Sequence, residues 1–284
     1  MFVPAHNQRL LNSAVRVQAD VLLLDVEDSV QPLINKQVAR DNIIHYVTDG
    51  LFNNRIIFPR INDRESGELL KDLLQLTIPG ITGFMYPKSY TGDDIYFIDK
   101  LLETIEYEKN IPLGTFKLIP LIETTGAVLN AQDICKSSSR VIAIAFGCED
   151  FVTDMGGVHD DYGQSIFTAR SMISMAARAN NIAPIDTVHI KVHDLDDLER
   201  NLIIAKNLGF EGMLVLNPKE LPLVHKYFSP SIEEVQEAEE MIRLSELAYR
   251  EGKGVAVNNN TFIGPPMVLA AKNILYKNRI INSK

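Results

Sequence analysis

Acidic residues follow two apolar runs of the chain at the point where each run ends. Glu123 closes "FKLIPLIET", and Glu149 and Asp150 close "VIAIAFGCED". If these runs are neighbouring strands of one parallel sheet, Glu123 and Asp150 offer carboxylate oxygens of the kind that Mg²⁺ accepts while it keeps several waters. Each acid could instead cap the following helix, because acids are favoured near helix N-termini. We expect Glu149 to be a supporting or capping group, and the pattern leaves metal binding and capping open.

Basic residues end two further apolar runs and indicate a site for an anion. Arg60 ends "RIIFP", and a guanidinium at that depth needs an anionic or carbonyl partner. A substrate could be that partner, or Arg60 could pair with Glu27 or Glu123, and the two interpretations are compatible. Acids beside Lys88 would keep its ammonium charged and make it a poor Schiff-base nucleophile. The other polar residues at strand ends are His6, Asn7, Asp25, Asp28, Asn62 and Asn217.

Eight short apolar or β-branched runs predict the strands that would position these residues. They are "FVPA", "DVLLLDVED", "RIIFPRIN", "GFMYPKS", "FKLIPLIET", "VIAIAFGCED", "IDTVHIKV" and "GMLVLNP". Segments of helical periodicity lie between most of them, such as "LLKDLLQL" and "LDDLERNLIIAKNLG", and Gly209 ends the second segment. Parallel strands require such crossovers. The count predicts an α/β fold, a TIM (β/α)8 barrel whose strand C-terminal ends form the site.

The sequence after the eighth predicted strand indicates an extension of the barrel. We expect the barrel and its metal site to occupy residues 1–230, and a C-terminal helix, lid loop and terminal helix to occupy residues 231–284. The stretch "GVAVNNNTFIGPP" is rich in Gly, Asn and Pro, which predicts a loop that could fold over a neighbouring surface. The helix "MVLAAKNILYKN" follows it.

The composition argues against several classes of protein. The chain has 284 residues, 46% of them hydrophobic, and a formal net charge of -9. Its Lys and Arg residues are scattered, so we expect no nucleic-acid partner and no membrane partner. The apolar runs are far shorter than the ~20 residues of a membrane helix, and the first residues lack a signal-peptide core. We therefore expect a cytoplasmic protein in which Cys135 and Cys148 are free thiols.

Two further groups of polar residues are weaker signals. His189 and His193 alternate along the predicted seventh strand, where histidines are more often satisfied structural groups than ligands. Asp160 and Asp161 in "HDD" predict a solvated turn after the sixth strand. Neither group contributes to the predicted site.

Eight blocks of the sequence, in order, resemble a known family. They are "FVPAHN", "LLLDVEDSVQPLINKQVAR", "FPRIN", "YPKS", "LIETTGAVLNAQDI", "FGCEDFVTDMG", "LGFEGMLVLNPKEL" and "FSPS". Together they cover nearly the whole chain, which is identified as similar to the citrate lyase β-subunit-like branch of the HpcH/HpaI aldolase superfamily. The resemblance implies the same barrel.

The resemblance also implies an activity. Members are Mg²⁺- or Mn²⁺-dependent carbon–carbon lyases that cleave a 3-hydroxyacyl thioester, such as citryl-, citramalyl- or malyl-CoA, or form it by Claisen-type condensation. The products are a 2-oxo acid such as oxaloacetate and an acyl thioester, carried by CoA or an acyl-carrier protein. We further expect a homo-oligomer, a trimer or hexamer, in which one subunit's lid closes the next subunit's site.

The resemblance assigns roles to individual residues. Residues at the positions of Glu123 and Asp150 hold the metal, and the arginine matching Arg60 contacts the bound acid and the thioester carbonyl. A metal ion there would polarise a substrate oxygen, and Arg60 would stabilise the enolate released by cleavage. Glu27, bound water or a substrate group would carry the proton. The residues matched to the substrate and thioester side are Phe2, Asn7, Arg60, Glu123, Leu216 and Asn217.

The block after the second strand matches positions near the cofactor tail. The residues concerned are Asp28, Lys36 and Arg40. For Lys36 and Arg40, which are four residues apart, a solvated helix face is an equally open interpretation.

Three positions depart from the family pattern. Many relatives carry an aspartate in a "VD.P" element that enters a neighbouring subunit's site as acid or base, but this chain has "FIGPP" with Gly264. Ser13 stands where malyl-type relatives have a lysine, and Asn217 stands in "LNP" where the family often has "IHP". These changes touch the thioester or the protonation step. They leave two alternatives open: a non-catalytic subunit that binds Mg²⁺ and a dicarboxylate, and a class II aldolase acting on free hydroxy-oxo acids.

Overall fold

Eight parallel strands form one sheet in which the spatial order follows the chain. The computed structural model describes residues 1–160, 163–258 and 261–283. The strands are β1 (Phe2–Pro4), β2 (Val21–Asp25), β3 (Ile56–Arg60), β4 (Gly83–Tyr86), β5 (Lys117–Ile122), β6 (Ala143–Phe146), β7 (Ala183–Asp186) and β8 (Gly212–Met213). The N–H of Phe2 donates to the carbonyl of Val215 at 2.9 Å, which closes the sheet into a ring. The predicted (β/α)8 barrel is confirmed.

Helices connect successive strands and cover the outside of the barrel. They are α1 (Gln8–Ala14), α2 (Ile34–Thr48), α3 (Leu69–Leu76), α4 (Gly92–Glu108), α5 (Thr125–Leu129), α6 (Ala131–Lys136), α7 (Cys148–Met155), α8 (Gln164–Ala179) and α9 (Leu195–Asn207). The segment "LLKDLLQL" coincides with α3 as predicted. Gly209 follows the end of α9 with a φ of +85°, a conformation that favours glycine.

Strand residues alternate between the barrel interior and the side covered by helices. The interior cluster consists of Leu23, Phe58, Met85, Ile119, Leu121, Ala143, Ala145 and Leu214. Small alanines on β6 face larger residues of other strands, so the interior is filled rather than hollow. Asp25, Arg60 and Glu123 each follow a residue of this cluster by two positions. The alternation therefore places their side chains on the inner side of the barrel mouth.

The seventh strand is shorter than the sequence predicts. We predicted "IDTVHIKV" as a strand, but β7 ends at Asp186. His189 lies beyond it, with its ring nitrogens 3.0 Å from Asp197 and 3.3 Å from Glu220. These two carboxylates fix the position of the His189 ring beyond the end of β7. The prediction of alternating strand histidines is wrong, and the prediction that His189 is a satisfied structural group is confirmed.

The chain divides by its internal contacts into two compact units, Met1–Leu221 and Pro222–Lys284. That division concerns contacts only, so the predicted domain boundary after residue 230 stays a prediction. The second unit contains most of α10 (Leu221–Phe228), together with α11 (Ile232–Arg250), β9 (Ala256–Asn258), β10 (Thr261–Ile263) and α12 (Pro265–Asn282).

The stretch predicted as a loop contains a β-hairpin. Strands β9 and β10 pair antiparallel, with Val257 opposite Phe262 and Ala256 opposite Ile263. Apolar and β-branched residues flank the run of asparagines in the sequence, a pattern that favours two short strands. Asn259 and Asn260, part of the predicted lid, lie outside the described residues. The prediction of a loop throughout this stretch is therefore wrong.

Two predictions from composition can be compared with the structure. Cys135 and Cys148 are both free, as predicted, and the structure shows that both are buried. Within the described ranges, every helix is too short or too polar to cross a membrane.

Candidate active site

Asp25 and Arg60 form a bidentate ion pair at the barrel mouth. The two residues end neighbouring strands and stand opposite each other in register. Nε and Nη2 of Arg60 each donate to a carboxylate oxygen of Asp25 at 2.7 Å, and the Ser29 hydroxyl donates to the same carboxylate. Burial alone would raise the pKa of Asp25, but these hydrogen bonds outweigh burial and lower it. Asp25 is therefore ionised at neutral pH, and its two contacts fix the plane of the guanidinium.

The rest of the Arg60 guanidinium lies near a carboxylate and an aromatic ring. Nη1 lies 3.1 Å from a carboxylate oxygen of Glu27, and the guanidinium carbon lies 4.9 Å from the centre of the Phe2 ring. Burial disfavours the charge of Arg60, but the hydrogen bonds with Asp25 and the nearby carboxylates raise its pKa overall. The predicted ion pair with Glu27 is present. The sequence analysis did not predict the shorter contacts with Asp25. The signal for this pair was that Asp25 and Arg60 each end one of two successive predicted strands.

Glu27 is a buried carboxyl group that can exchange a proton near neutral pH. Its side chain is 5% exposed. Burial raises its pKa to about 7; the charge of Asp28 acts in the same direction, whereas Arg60 opposes the shift. A group with a pKa near the working pH is well suited to general acid–base catalysis.

Glu123 is also buried at the mouth. The backbone N–H of Lys88 donates to Oε2 of Glu123 at 2.7 Å. Burial raises the pKa of Glu123 to about 8, and the charges of Glu27 and Asp150 add to the shift. The neighbouring helix α5 is capped by the Thr124 side chain rather than by Glu123. The capping interpretation of Glu123 is therefore wrong.

Lys88 contributes its backbone and its charge to the site. Its φ of +48° lies in the left-handed region, a conformation that L side chains adopt at a cost. The ammonium lies 3.0 Å from Asp63 and 3.4 Å from Glu27. Burial would lower the pKa of Lys88, but these carboxylates raise it overall. The lysine stays charged, which agrees with the prediction against a Schiff base.

Glu123 occupies space that a side chain at Gly147 would otherwise fill. A Cβ atom on Gly147 would lie 2.7 Å from Cγ of Glu123. Gly147 is also the N-cap of α7, so a side chain does not cap this helix, and Asp150 stands exposed in its first turn. A buried acid with a raised pKa next to an exposed acid fits a divalent cation, because the cation would favour both ionised carboxylates and leave coordination positions for water or substrate.

The other residues predicted on the substrate side have defined local roles. Asn7 is the N-cap of α1 and accepts from the N–H of Leu10 at 3.3 Å. Asn217 accepts from the N–H of Lys219 at 3.1 Å and donates to the carbonyl of Val192 at 3.0 Å. Leu216 is 46% exposed. Substrate contacts of these residues stay predictions.

Lys36 is buried beneath the site. Its ammonium donates to the backbone carbonyls of Val26 and Glu27, at 2.9 and 2.7 Å, and to Oδ1 of Asn62 at 2.7 Å. The interpretation as a solvated helix face is wrong for this residue. Its three donated hydrogen bonds hold the segment that carries Glu27.

Arg40 lies one turn further along α2 and is also buried. It donates to Asp72 at 2.6 Å and to Glu68 at 2.8 Å, so the solvated-face interpretation is wrong here too. These contacts explain both buried cations without a cofactor tail. The third residue of this prediction, Asp28, has a side chain that is 59% exposed. A cofactor-tail role stays a prediction for all three residues.

The polar residues on either side of Asp150 in the sequence make contacts of their own. Glu149 pairs with His159, with Oε1 and Nε2 2.9 Å apart. Asp160 accepts from the N–H groups of Gln164 and Ser165 at the start of α8. Asp161, predicted in the same turn, lies outside the described residues.

Known proteins resemble this chain in sequence and fold. The citrate lyase subunit beta of Leuconostoc mesenteroides subsp. cremoris is 31% identical over 275 residues, which cover 97% of this chain and 91% of that protein. The mitochondrial citramalyl-CoA lyase of Rattus norvegicus is 29% identical over 288 residues, with coverages of 97% and 84%. A crystal structure of the protein CitE from Mycobacterium tuberculosis in complex with magnesium and acetoacetate is 26% identical, with a TM-score of 0.66 and coverages of 81% and 90%.

The family assignment follows from these matches together with a family profile. The profile described as HpcH/HpaI aldolase/citrate lyase matches residues 1–218, which include all strands of the barrel and every residue of the mouth described above. The resemblance seen in the sequence is thus confirmed, and this chain belongs to the HpcH/HpaI aldolase/citrate lyase family.

Proposed function

We propose that the protein is a Mg²⁺-dependent carbon–carbon lyase that cleaves a 3-hydroxyacyl-CoA thioester into a 2-oxo acid and an acyl thioester, or condenses them in reverse. The observation that carries this proposal is the barrel mouth, where Arg60, Glu27 and Glu123 combine one fixed cation with two buried acids of raised pKa. The names of the relatives, citrate lyase subunit beta and citramalyl-CoA lyase, support the reaction class.

Glu123 and Asp150 would hold the cation, Mg²⁺ or Mn²⁺. When bound, the cation supplies Lewis-acid polarisation of a substrate oxygen. Magnesium and a small oxo acid are present together in the related CitE structure, which supports this choice. Asp150 is exposed, so a substrate carboxylate could approach the same position.

The cleavage step needs a base and a group that stabilises negative charge. We assign the base to Glu27, which takes the proton of the substrate's 3-hydroxyl group. The bond between C2 and C3 then breaks, the electron pair moves to the thioester as an enolate, and C3 becomes the carbonyl of the 2-oxo acid. Arg60, held in one plane by Asp25, stabilises the enolate oxygen. The proton on Glu27 returns to C2 and completes the acyl thioester.

The assignment of Glu27 addresses the departure at Gly264. Gly264 has no side chain and cannot move a proton, whereas Glu27 has a pKa of about 7 and lies within 3.1 Å of Arg60. We also propose a homo-oligomer, a trimer or hexamer, in which the hairpin segment of one subunit closes the site of the next, and a cytoplasmic location consistent with the free thiols.

A cleavage assay followed by mass spectrometry tests the proposal. The purified protein is incubated with citryl-, citramalyl- and malyl-CoA, and with the matching free acids, in Mg²⁺ or in EDTA. We expect one thioester to be cleaved only with Mg²⁺, and Glu123→Ala to abolish the reaction. Glu27→Gln should retain Mg²⁺ binding but lower turnover by about 10² to 10⁴-fold, as expected for the loss of a general base.

Other outcomes select the alternatives. Cleavage of a free hydroxy-oxo acid alone would identify a class II aldolase. Gly264 favours one further candidate, a non-catalytic subunit that binds Mg²⁺ and a dicarboxylate, because the position lacks a proton-carrying side chain. Binding of Mg²⁺ and oxaloacetate without cleavage of any compound would replace the lyase proposal by this one.

A further inference from the structure

Three side chains of metal-binding type converge beside the proposed magnesium site without belonging to it. Among the described residues, Cys148, Glu149 and His159 each offer one ligand atom, and these atoms lie within 4.8 Å of one another. Oε1 of Glu149 is 2.9 Å from Nε2 of His159 and 3.4 Å from Sγ of Cys148. One carboxylate oxygen thus touches both a thiol and an imidazole.

These separations are close to those around a tetrahedral zinc ion. With Zn–S bonds of about 2.3 Å and Zn–N or Zn–O bonds of about 2.0 to 2.2 Å, tetrahedral ligand atoms lie roughly 3.3 to 3.7 Å apart. The separations from the Glu149 oxygen are 2.9 Å to His159 and 3.4 Å to Cys148, and all three ligand atoms lie within 4.8 Å of one another. The side chains of Glu149 and His159 are 52% and 33% exposed, so both have room to adjust around a common ion.

The fold holds the three ligands in a defined order. Cys148 and Glu149 are the first two residues of α7, and His159 comes from the segment between α7 and α8. Cys148 is buried and anchored by its backbone N–H, which donates to the Thr187 hydroxyl at 3.1 Å. A rigid sulfur below two adjustable solvent-facing ligands leaves a fourth position open to water.

The ligand types separate this group from the proposed magnesium site. Thiolate and imidazole are typical ligands of Zn²⁺, whereas Mg²⁺ prefers oxygen ligands and retains several waters. We propose that Cys148, Glu149 and His159 form a second metal site, which binds Zn²⁺ with one open coordination position. Binding replaces the thiol proton, which passes to solvent, by a bond between sulfur and zinc. This inference is independent of the proposed lyase activity.

Zinc and cobalt binding to the metal-free full chain tests the site. Zn²⁺ affinity is measured by competition with a chromophoric chelator in the presence of excess Mg²⁺. Co²⁺ is then added to a second sample as a spectroscopic probe. We expect one Zn²⁺ per chain that Mg²⁺ does not displace, and a near-ultraviolet charge-transfer band from a thiolate bound to Co²⁺.

Variants identify the ligands. Cys148→Ser should remove the charge-transfer band, and His159→Ala, at a partly exposed position, should weaken Zn²⁺ binding at least about tenfold. The matched control Cys135→Ser removes the other buried thiol and should keep both signals, and Glu123→Gln should also keep them. An unchanged affinity in His159→Ala, or a Co²⁺ complex without the band, would show that Glu149 and His159 form a plain ion pair and would overturn the site.

Discussion

At the scale of single residues, the central feature is that Asp25 fixes Arg60. The carboxylate is 1% exposed and makes both of its contacts with the guanidinium at 2.7 Å. A bidentate pair restricts the rotation of a side chain that would otherwise sample many rotamers. We infer that Asp25 acts through Arg60 as a positioning residue.

We therefore predict that Asp25→Asn destabilises the fold and lowers turnover together. The amide keeps the shape of the side chain but leaves the buried guanidinium without its main counter-charge, which costs about 3 to 5 kcal/mol for a buried pair. Urea unfolding and steady-state kinetics measure the two effects. Asp28→Asn is the matched control for stability, because Asp28 is 59% exposed and 3.9 Å from Arg60, and it should change the free energy of unfolding by less than about 0.5 kcal/mol.

We predict that Gly147→Ala displaces the Glu123 side chain, because Gly147 leaves room for it. Gly147 has a φ of -106°, which alanine also adopts, so the cost arises from the contact between the new Cβ and Cγ of Glu123 at 2.7 Å. We expect the variant to require a higher Mg²⁺ concentration for half-maximal activity and to lose about 1 to 3 kcal/mol of stability by overpacking. Gly126→Ala is the control, since its Cβ would meet no atom within 4 Å. Equal Mg²⁺ requirements in both variants would contradict this role of Gly147.

The residues of the mouth differ in how far the sequence could predict them. Arg60 and Glu123 were predictable because each follows an interior strand residue by two positions. The burial of Lys36 and Arg40 was not predictable, because paired charges on a helix resemble a solvated face until their partners on other elements are known. Gly147 gave only a weak signal, since its function depends on a contact with a different strand.

At the scale of elements, the main difference from prediction is at β7. The run "IDTVHIKV" has the composition of a strand, but tertiary contacts of His189 override this local preference. Burial would lower the pKa of His189, whereas Glu220 and Asp197 raise it overall. The folded protein therefore favours the charged ring between two carboxylates.

The position of His189 between Glu220 and Asp197 predicts how the stability of the protein depends on pH. Because the pKa of His189 is raised in the folded state, its stabilising contribution is complete below the ordinary value of about 6.5 and is lost as pH rises through the folded pKa. We expect the free energy of unfolding to fall over that range, and His189→Asn to be less stable but to show a flatter profile. Glu27 and Glu123 also have raised pKa values, so only the difference between the two proteins reports on His189. Parallel profiles would contradict the prediction.

At the scale of the whole molecule, the barrel was predictable and the extension was only partly predictable. Eight apolar runs separated by helical segments determine a repeated βα order that few folds accommodate. The helix predicted at the start of the extension is present as α11 (Ile232–Arg250). The hairpin of β9 and β10 was missed because short strands in a Gly- and Asn-rich stretch depend on their packing, here against α11 residues such as Ala248.

The last prediction concerns Gly264, where the family resemblance of the sequence leads us to expect an aspartate that serves a neighbouring subunit. Gly264 is the N-cap of α12 with a φ of -108°, so an aspartate fits the backbone and suits a helix N-terminus. Its Cβ would meet the ring of Phe262 at 2.6 Å, but that side chain is 58% exposed and can rotate. We expect Gly264→Asp to fold normally and to raise thioester turnover, up to the ~10²- to 10⁴-fold typical of a general acid or base.

Gly264→Asn separates the proton carrier from the shape of its side chain. The amide has the same size and the same capping ability as the carboxylate, but it cannot exchange a proton at neutral pH. Turnover by each purified variant is measured against the thioester that the wild-type protein cleaves. A gain in Gly264→Asp alone would indicate that the position lacks a proton carrier, and that Glu27 supplies a slower substitute. Equal turnover in all three proteins would show that Glu27 already carries the proton at a rate that the extension does not limit.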